Sequence, residues 1–134
     1  MATTLLIGSN ESLLEGLAQA FAAEGHRTVV ARSIEEAITL AFSHRPLVTV
    51  VEHGCAGDPE FGRLRLPAGS AIVVYRGADE TTRPLPGPIQ RATLAELVLP
   101  WERHRLITLV RRVEERARAS GRERPETPPE NRVI

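Results

Sequence analysis

A carboxylate, an imidazole and a thiol stand close together at Glu52, His53 and Cys55. Such a trio invites a catalytic or metal-binding reading, but a site of either kind needs several convergent groups at a defined spacing. Beside Glu52 there are only these two. His26, His44 and His104 stand alone at unrelated positions and are expected on the surface or at helix ends. Gly8-Ser9-Asn10 could cradle a phosphate at a helix N-terminus, yet it has no Gly-rich fingerprint, and a helix cap by Asn10 is the simpler expectation. All seventeen basic residues are Arg, which excludes any mechanism needing lysine, and the only aspartates are Asp58 and Asp79. Cys55 is the one cysteine, so no intramolecular disulfide can form. No catalytic residue, metal or cofactor is expected.

The elements that must position these groups alternate regularly. The apolar run Thr3 to Ile7 reads as a strand, closed by Gly8, after which Leu13, Leu14, Leu17, Ala20 and Phe21 recur at helical spacing. Gly25 should cap that helix before a second strand, Arg27 to Ala31. Ser33 with Glu36 matches a capping box for a helix burying Ile34, Ala37, Ile38 and Ala41, which must stop near His44 because Pro46 disfavours helix in Arg45. Strands follow at Leu47 to Val51 and Ala71 to Tyr75, with a fifth at Glu96 to Leu99 and a last helix from about Glu102 to Ala119. Between the third and fourth strands, Asp58 to Gly69 offers only a turn or two of helix around Phe61, Leu64 and Leu66. Pro84, Pro86 and Pro88 disrupt any full fourth helix.

This alternation predicts an α/β fold, a doubly wound parallel sheet of five strands with helices on both faces and ligand sites beyond the strand carboxyl ends. At 134 residues, 42% of them hydrophobic, one domain is expected over 1–119, with 120–134 charged, Pro-rich and a disordered tail or linker. Seventeen charges of each sign leave no net field for nucleic acid or membrane. No apolar run is long enough to span a bilayer, the first residues lack a secretion signal, and the lone cysteine suits a reducing compartment, so a cytoplasmic protein is expected.

Residues 3 to 118 resemble the receiver domain of bacterial two-component response regulators. The likeness is carried by Arg45-Pro46 with the following apolar strand and Glu52, by Leu99-Pro100-Trp101, and by the helix containing Arg105-Leu106-Ile107-Thr108-Leu109-Val110-Arg111-Arg112. It implies a flavodoxin-like sheet of order 2-1-3-4-5, to which this chain's own residues add a shortened third helix and a disrupted fourth. It also implies the positions of an active receiver's machinery, each altered here. Gly8 and Ser9 stand for the acidic pair that holds Mg²⁺, Glu52 for the phosphoacceptor aspartate, Arg76 for the hydroxyl residue, Glu96 for the aromatic switch residue and Leu99 for the lysine. Phosphoryl transfer depends on positioning and on neutralising developing charge, and Mg²⁺ needs several oxygen ligands. No phosphotransfer is therefore expected.

For Glu52 the favoured reading is an ion pair with Arg76 across neighbouring strands, with mimicry of a phosphoaspartate as the alternative; Arg76 could instead reach Glu96. The family's counterpart of Leu99–Pro100 is typically cis, so a cis bond is expected at Pro100. Trp101 should pack its ring against the start of the last helix. That helix is expected to bury Leu106, Leu109, Val110, Val113 and Ala117, and to present Arg103, Arg111, Arg112, Arg116 and Arg118. Glu102, Glu114 and Glu115 interrupt this basic face, which suits intrahelical pairs, or a dimer interface of the kind receivers use, better than nucleic acid. The best reading is a degenerate, phosphorylation-independent interaction module of a bacterial signalling or transcription regulator, with a protein partner or effector domain and no membrane role. The alternatives are an atypical phosphoacceptor or small-ligand receiver using Glu52 and His53, and a nucleic-acid module using the Arg-rich helix.

Overall fold

The structure, a computed structural model, describes residues 2–81 and 83–123. Most of the expected tail, 124–134, lies outside the described residues. Five parallel strands, β1 (Thr3–Ile7), β2 (Arg27–Ala31), β3 (Val48–Glu52), β4 (Ala71–Gly77) and β5 (Thr93–Leu99), form one sheet in the order β2-β1-β3-β4-β5. The helices are α1 (Glu11–Ala23), α2 (Ile34–His44), α3 (His53–Ala56), α4 (Gly87–Ala92) and α5 (Arg103–Glu123), with a 3-10 turn at Pro59–Arg63.

Local chemistry sets the boundaries. The Asn10 side chain accepts from the Leu13 amide to start α1, and Ser33 accepts from Glu36 to start α2, while the Glu36 carboxylate accepts the Arg32 amide at 2.7 Å. Gly25 adopts φ +84° after α1, a conformation open to glycine. Arg45 ends α2 at φ +48°, which turns the chain before Pro46. The proline-rich stretch leaves α4 only six residues long. Two expectations need correction: β4 and β5 are longer than expected at Gly77 and Thr93 respectively, and α5 continues past Ala119 to Glu123; the residues just after Glu52 form a helical turn.

Because strand side chains alternate between faces, the sheet carries two cores. Leu5, Ile7, Val51 and Val74 pack with Ala37 and Ala41 of α2, with Phe61, Leu64 and Leu85 closing the edge. Leu6, Val50, Val73 and Tyr75 pack with Leu14, Leu17 and Phe21 of α1 and with Leu106 and Val110 of α5. Each fully buried Leu or Phe contributes about 1.5–3 kcal/mol by leaving water, and β3, central in the order, is buried from Val48 to Val51.

α5 is anchored in ways its apolar pattern does not reveal. Leu106 and Val110 are sealed, but Ala117, two turns further along the helix, is exposed, contrary to expectation. His26, expected on the surface or at a helix end, does follow the end of α1, but its side chain is buried: its Nδ1 lies 3.0 Å from Glu114 Oε1, with side chains 6% and 11% exposed, and its ring meets Phe21 edge-on at 5.7 Å. Arg111 adds a bond to Glu24 at the end of α1. Trp101 does not pack on α5 as expected; it is 78% exposed.

Candidate functional site

The carboxyl ends of β3, β4 and β5, with the first turns of α1 and α5, line an open cleft of about 550 Å³. Its lining includes Asn10, Leu13, Glu52, Tyr75, Glu80 and Arg103. This is where open α/β sheets bind ligands.

Glu52 ends β3 on the α1/α5 face, following Val48 and Val50. One carboxylate oxygen accepts from the Ser9 amide at 3.2 Å and the Ser9 hydroxyl at 3.1 Å, and the second oxygen lies 3.4 Å from the same hydroxyl. The Cys55 thiol points to it at 3.9 Å. The expected pair with Arg76 is not formed, and strand parity gives the reason. Glu52 is in register with Tyr75, while Arg76 continues the opposite face set by Ile72 and Val74. Neighbouring strands bring the backbones together, but the two side chains leave the sheet in opposite directions. The Arg76 guanidinium instead donates to the Gly77 carbonyl at 3.3 Å, and among the described residues it makes no ion pair with Glu96, which is exposed on β5.

Tyr75 is the residue that sequence reasoning missed. It is 2% exposed, and its hydroxyl donates to the Ile7 carbonyl at 3.4 Å. A Cβ placed on Gly8 would overlap that hydroxyl and lie 3.3 Å from the ring Cζ. The phenol thus fills the volume that any side chain at position 8 would enter. A signal was present in the sequence: Gly8 closes β1, and Tyr75, an inward-facing position on β4, offers a side chain long enough to reach it.

These occupancies decide the electrostatics. Burial, then the Glu52 charge, pushes the Tyr75 phenol well above its ordinary range. Burial also pushes the Cys55 thiol up to about 11, with Glu52 and Asp58 adding to the effect, so the thiolate is scarce near neutrality and Cys55 is no activated nucleophile. Among the described residues no three His, Cys, Asp or Glu side chains converge as a metal site. The Mg²⁺ that an active receiver uses does not fit here: Tyr75 fills the space beside Gly8, and the Ser9 hydroxyl is engaged by Glu52.

The remaining positions are placed as follows. Leu99 is sealed in the α1/α5 core, and the Leu99–Pro100 bond is cis. Glu102 accepts the Val98 amide at 2.7 Å and the Arg105 guanidinium at 3.0 Å, which together hold its carboxyl below the usual range. Arg103 lines the cleft. Along α5, Arg111 bonds Glu24 at 2.9 Å, Arg118 lies 3.9 Å from Glu114, and Arg112 is exposed.

Five parallel strands in this order, covered by α1 and α5 on one face and α2 on the other, define the flavodoxin-like receiver fold. Solved structures match it at low identity. The signal receiver domain of a protein described as a Luxo repressor from Vibrio parahaemolyticus is 14% identical, with TM-score 0.67 over 90% of this chain and 95% of its own. The chemotaxis response regulator CheY4 of Vibrio cholerae is 19% identical, with TM-score 0.64 over 84% and 98%. A CheY-like response regulator receiver domain protein from Methanospirillum hungatei JF-1 is 11% identical, with TM-score 0.66 over 89% and 98%. No protein-family model matches the sequence, and neither does any curated protein. No helix among the described residues is long and apolar enough to cross a membrane.

Proposed function

We propose that the chain is a receiver-fold regulatory module that acts through protein contact and does not accept a phosphoryl group. The observation that supports this reading most directly is the Tyr75 hydroxyl in the volume next to Gly8, where a metal-holding carboxylate would have to project. The Glu52 carboxylate, already accepting from Ser9, ties the loop after β1 to the end of β3 instead of facing an open metal site. With no lysine in the chain, no side-chain ammonium is available to neutralise a transferring phosphoryl. The partner is another protein or an attached effector domain, and α5 is the proposed surface for a homodimer, with Arg103, Arg112 and Arg118 on it. Nucleic acid is disfavoured there because Arg105, Arg111 and Arg118 each lie against an acid.

The test is incubation of the full chain with acetyl phosphate and Mg²⁺, followed by intact mass measurement. An unchanged mass is expected, and gain of a phosphoryl group on Glu52 would overturn the reading. Light scattering of wild type against Arg112→Glu examines the α5 dimer: a dimer that the charge reversal dissociates supports that surface, and a monomer in both cases removes it.

A further inference from the structure

The connection from β3 to β4 holds one helical turn, His53–Ala56, and the short 3-10 turn Pro59–Arg63, so it shields α2 incompletely. Ala37 and Ala41 are sealed against the sheet, Ile38 is half-buried, and Phe42 is 76% exposed. Between α2 and the segment after the 3-10 turn runs a groove of about 790 Å³. Ile38, Phe42 and Leu64 supply its apolar surface, and Arg63 and Arg65 stand on the opposite wall. A lone exposed apolar side chain is ordinary. Phe42 differs in having a groove beside it and a basic rim around that groove.

The rim carries a net positive charge in a chain whose total charge is zero. Arg63 is paired with Glu60 at 2.7 Å, and Glu35 on the first turn of α2 adds a weaker field there. Arg65 has no acidic partner among the described residues, and the exposed Arg45 closes the end of α2. We propose that this groove docks an acidic segment of a partner protein, its bulky aliphatic or aromatic anchor against Ile38 and Phe42 and its carboxylates toward Arg63 and Arg65. Charge complementarity selects that occupant over a neutral apolar helix or a basic one. The groove lies on the α2 face, away from the Glu52 cleft and from α5, and the proposal stands independently of the phosphotransfer question.

The experiment uses the ¹⁵N-labelled full chain and a short synthetic peptide of glutamates with leucines at helical spacing and one tryptophan. A peptide with lysines in place of the glutamates is the control. Amide shifts are expected at 38–43 and 62–65, with affinity falling at least about tenfold in Phe42→Ala and again in Arg65→Glu, and unchanged in Arg111→Glu. Phe42 and Arg65 are exposed, and circular dichroism verifies that the variants fold. Three results would overturn the proposal: no binding, shifts centred on α5, or equal binding of the lysine peptide. A fourth would be groove resonances that change when residues 124–134 are removed without peptide, since the chain's own continuation would then be the occupant.

Discussion

Gly8→Ala adds one methyl group, and its effect is set almost wholly by Tyr75. Gly8 is not in the left-handed region, so alanine carries no backbone strain there and gains about 0.4–1 kcal/mol from the stiffer unfolded chain. Against that, the new Cβ overlaps the Tyr75 hydroxyl, whose side chain is 2% exposed and packed in the α1/α5 core. Overpacking of this kind costs about 1–3 kcal/mol. Tyr75→Phe alone removes a long hydrogen bond to the Ile7 carbonyl, a loss of about 0.5–1 kcal/mol. In that background the Cβ meets the ring Cζ at 3.3 Å, which a shift of a few tenths of an ångström relieves, and Glu52 Cβ at an ordinary 3.6 Å. Gly8→Ala should therefore be destabilising in wild type and nearly neutral with Phe at 75, a coupling of at least about 1 kcal/mol. Urea unfolding followed by far-ultraviolet circular dichroism measures all four corners of the cycle. Equal costs in the two backgrounds, or no cost in either, would refute the claim that Tyr75 occupies the space beside Gly8.

The Cys55 thiol should react with iodoacetamide along a pH profile centred near 11, and Glu52→Gln should move it down only partway, because burial is the larger cause. The same raised value has a stability consequence of definite sign. Above the ordinary thiol value of about 8.5 the unfolded chain releases the proton first, so the contribution is full below that pH and is lost as pH rises toward 11; Cys55→Ala should flatten that part of an alkaline unfolding curve. Glu114→Ala, which strands the His26 ring, should cost roughly 2–4 kcal/mol in urea unfolding, and Glu114→Gln, which keeps an acceptor, clearly less. Thr49 is fully buried and its hydroxyl has no partner, so Thr49→Val should raise stability by about 1 kcal/mol, read as an upward shift in Tm.

Much of the fold was legible because it rests on local signals. Apolar runs bounded by Gly or Pro marked the strands, Asn10 and Ser33 marked two helix starts, and the alternation of strand and helix implied a parallel doubly wound sheet. The strand ends were less visible: Arg76 and Gly77 extend β4 through backbone pairing with Val98 and Leu99, which side-chain hydropathy does not register. The site was legible as a set of missing groups but not as a set of contacts. Pairing Glu52 with Arg76 used strand adjacency and overlooked the alternation of faces that sends them apart. His26 and Glu114 are 88 positions apart in the chain, beyond any local pattern. Trp101 looked like an anchor by type, yet the start of α5 is held by Glu102 through Val98 and Arg105.

The fit between Gly8 and Tyr75 also limits which sequence changes are open to the chain. A carboxylate placed at position 8 collides with the phenol while Tyr75 remains. Trading Tyr75 first for a small residue opens a void beneath α1 and α5, a change of the kind that costs about 3–5 kcal/mol, a large share of the 5–15 kcal/mol that holds a typical domain together. Each order of single substitutions passes through a weakened intermediate. Glycine and tyrosine are therefore coupled in either direction of change: the two positions must vary together, because each alone leads through a strained or hollowed core.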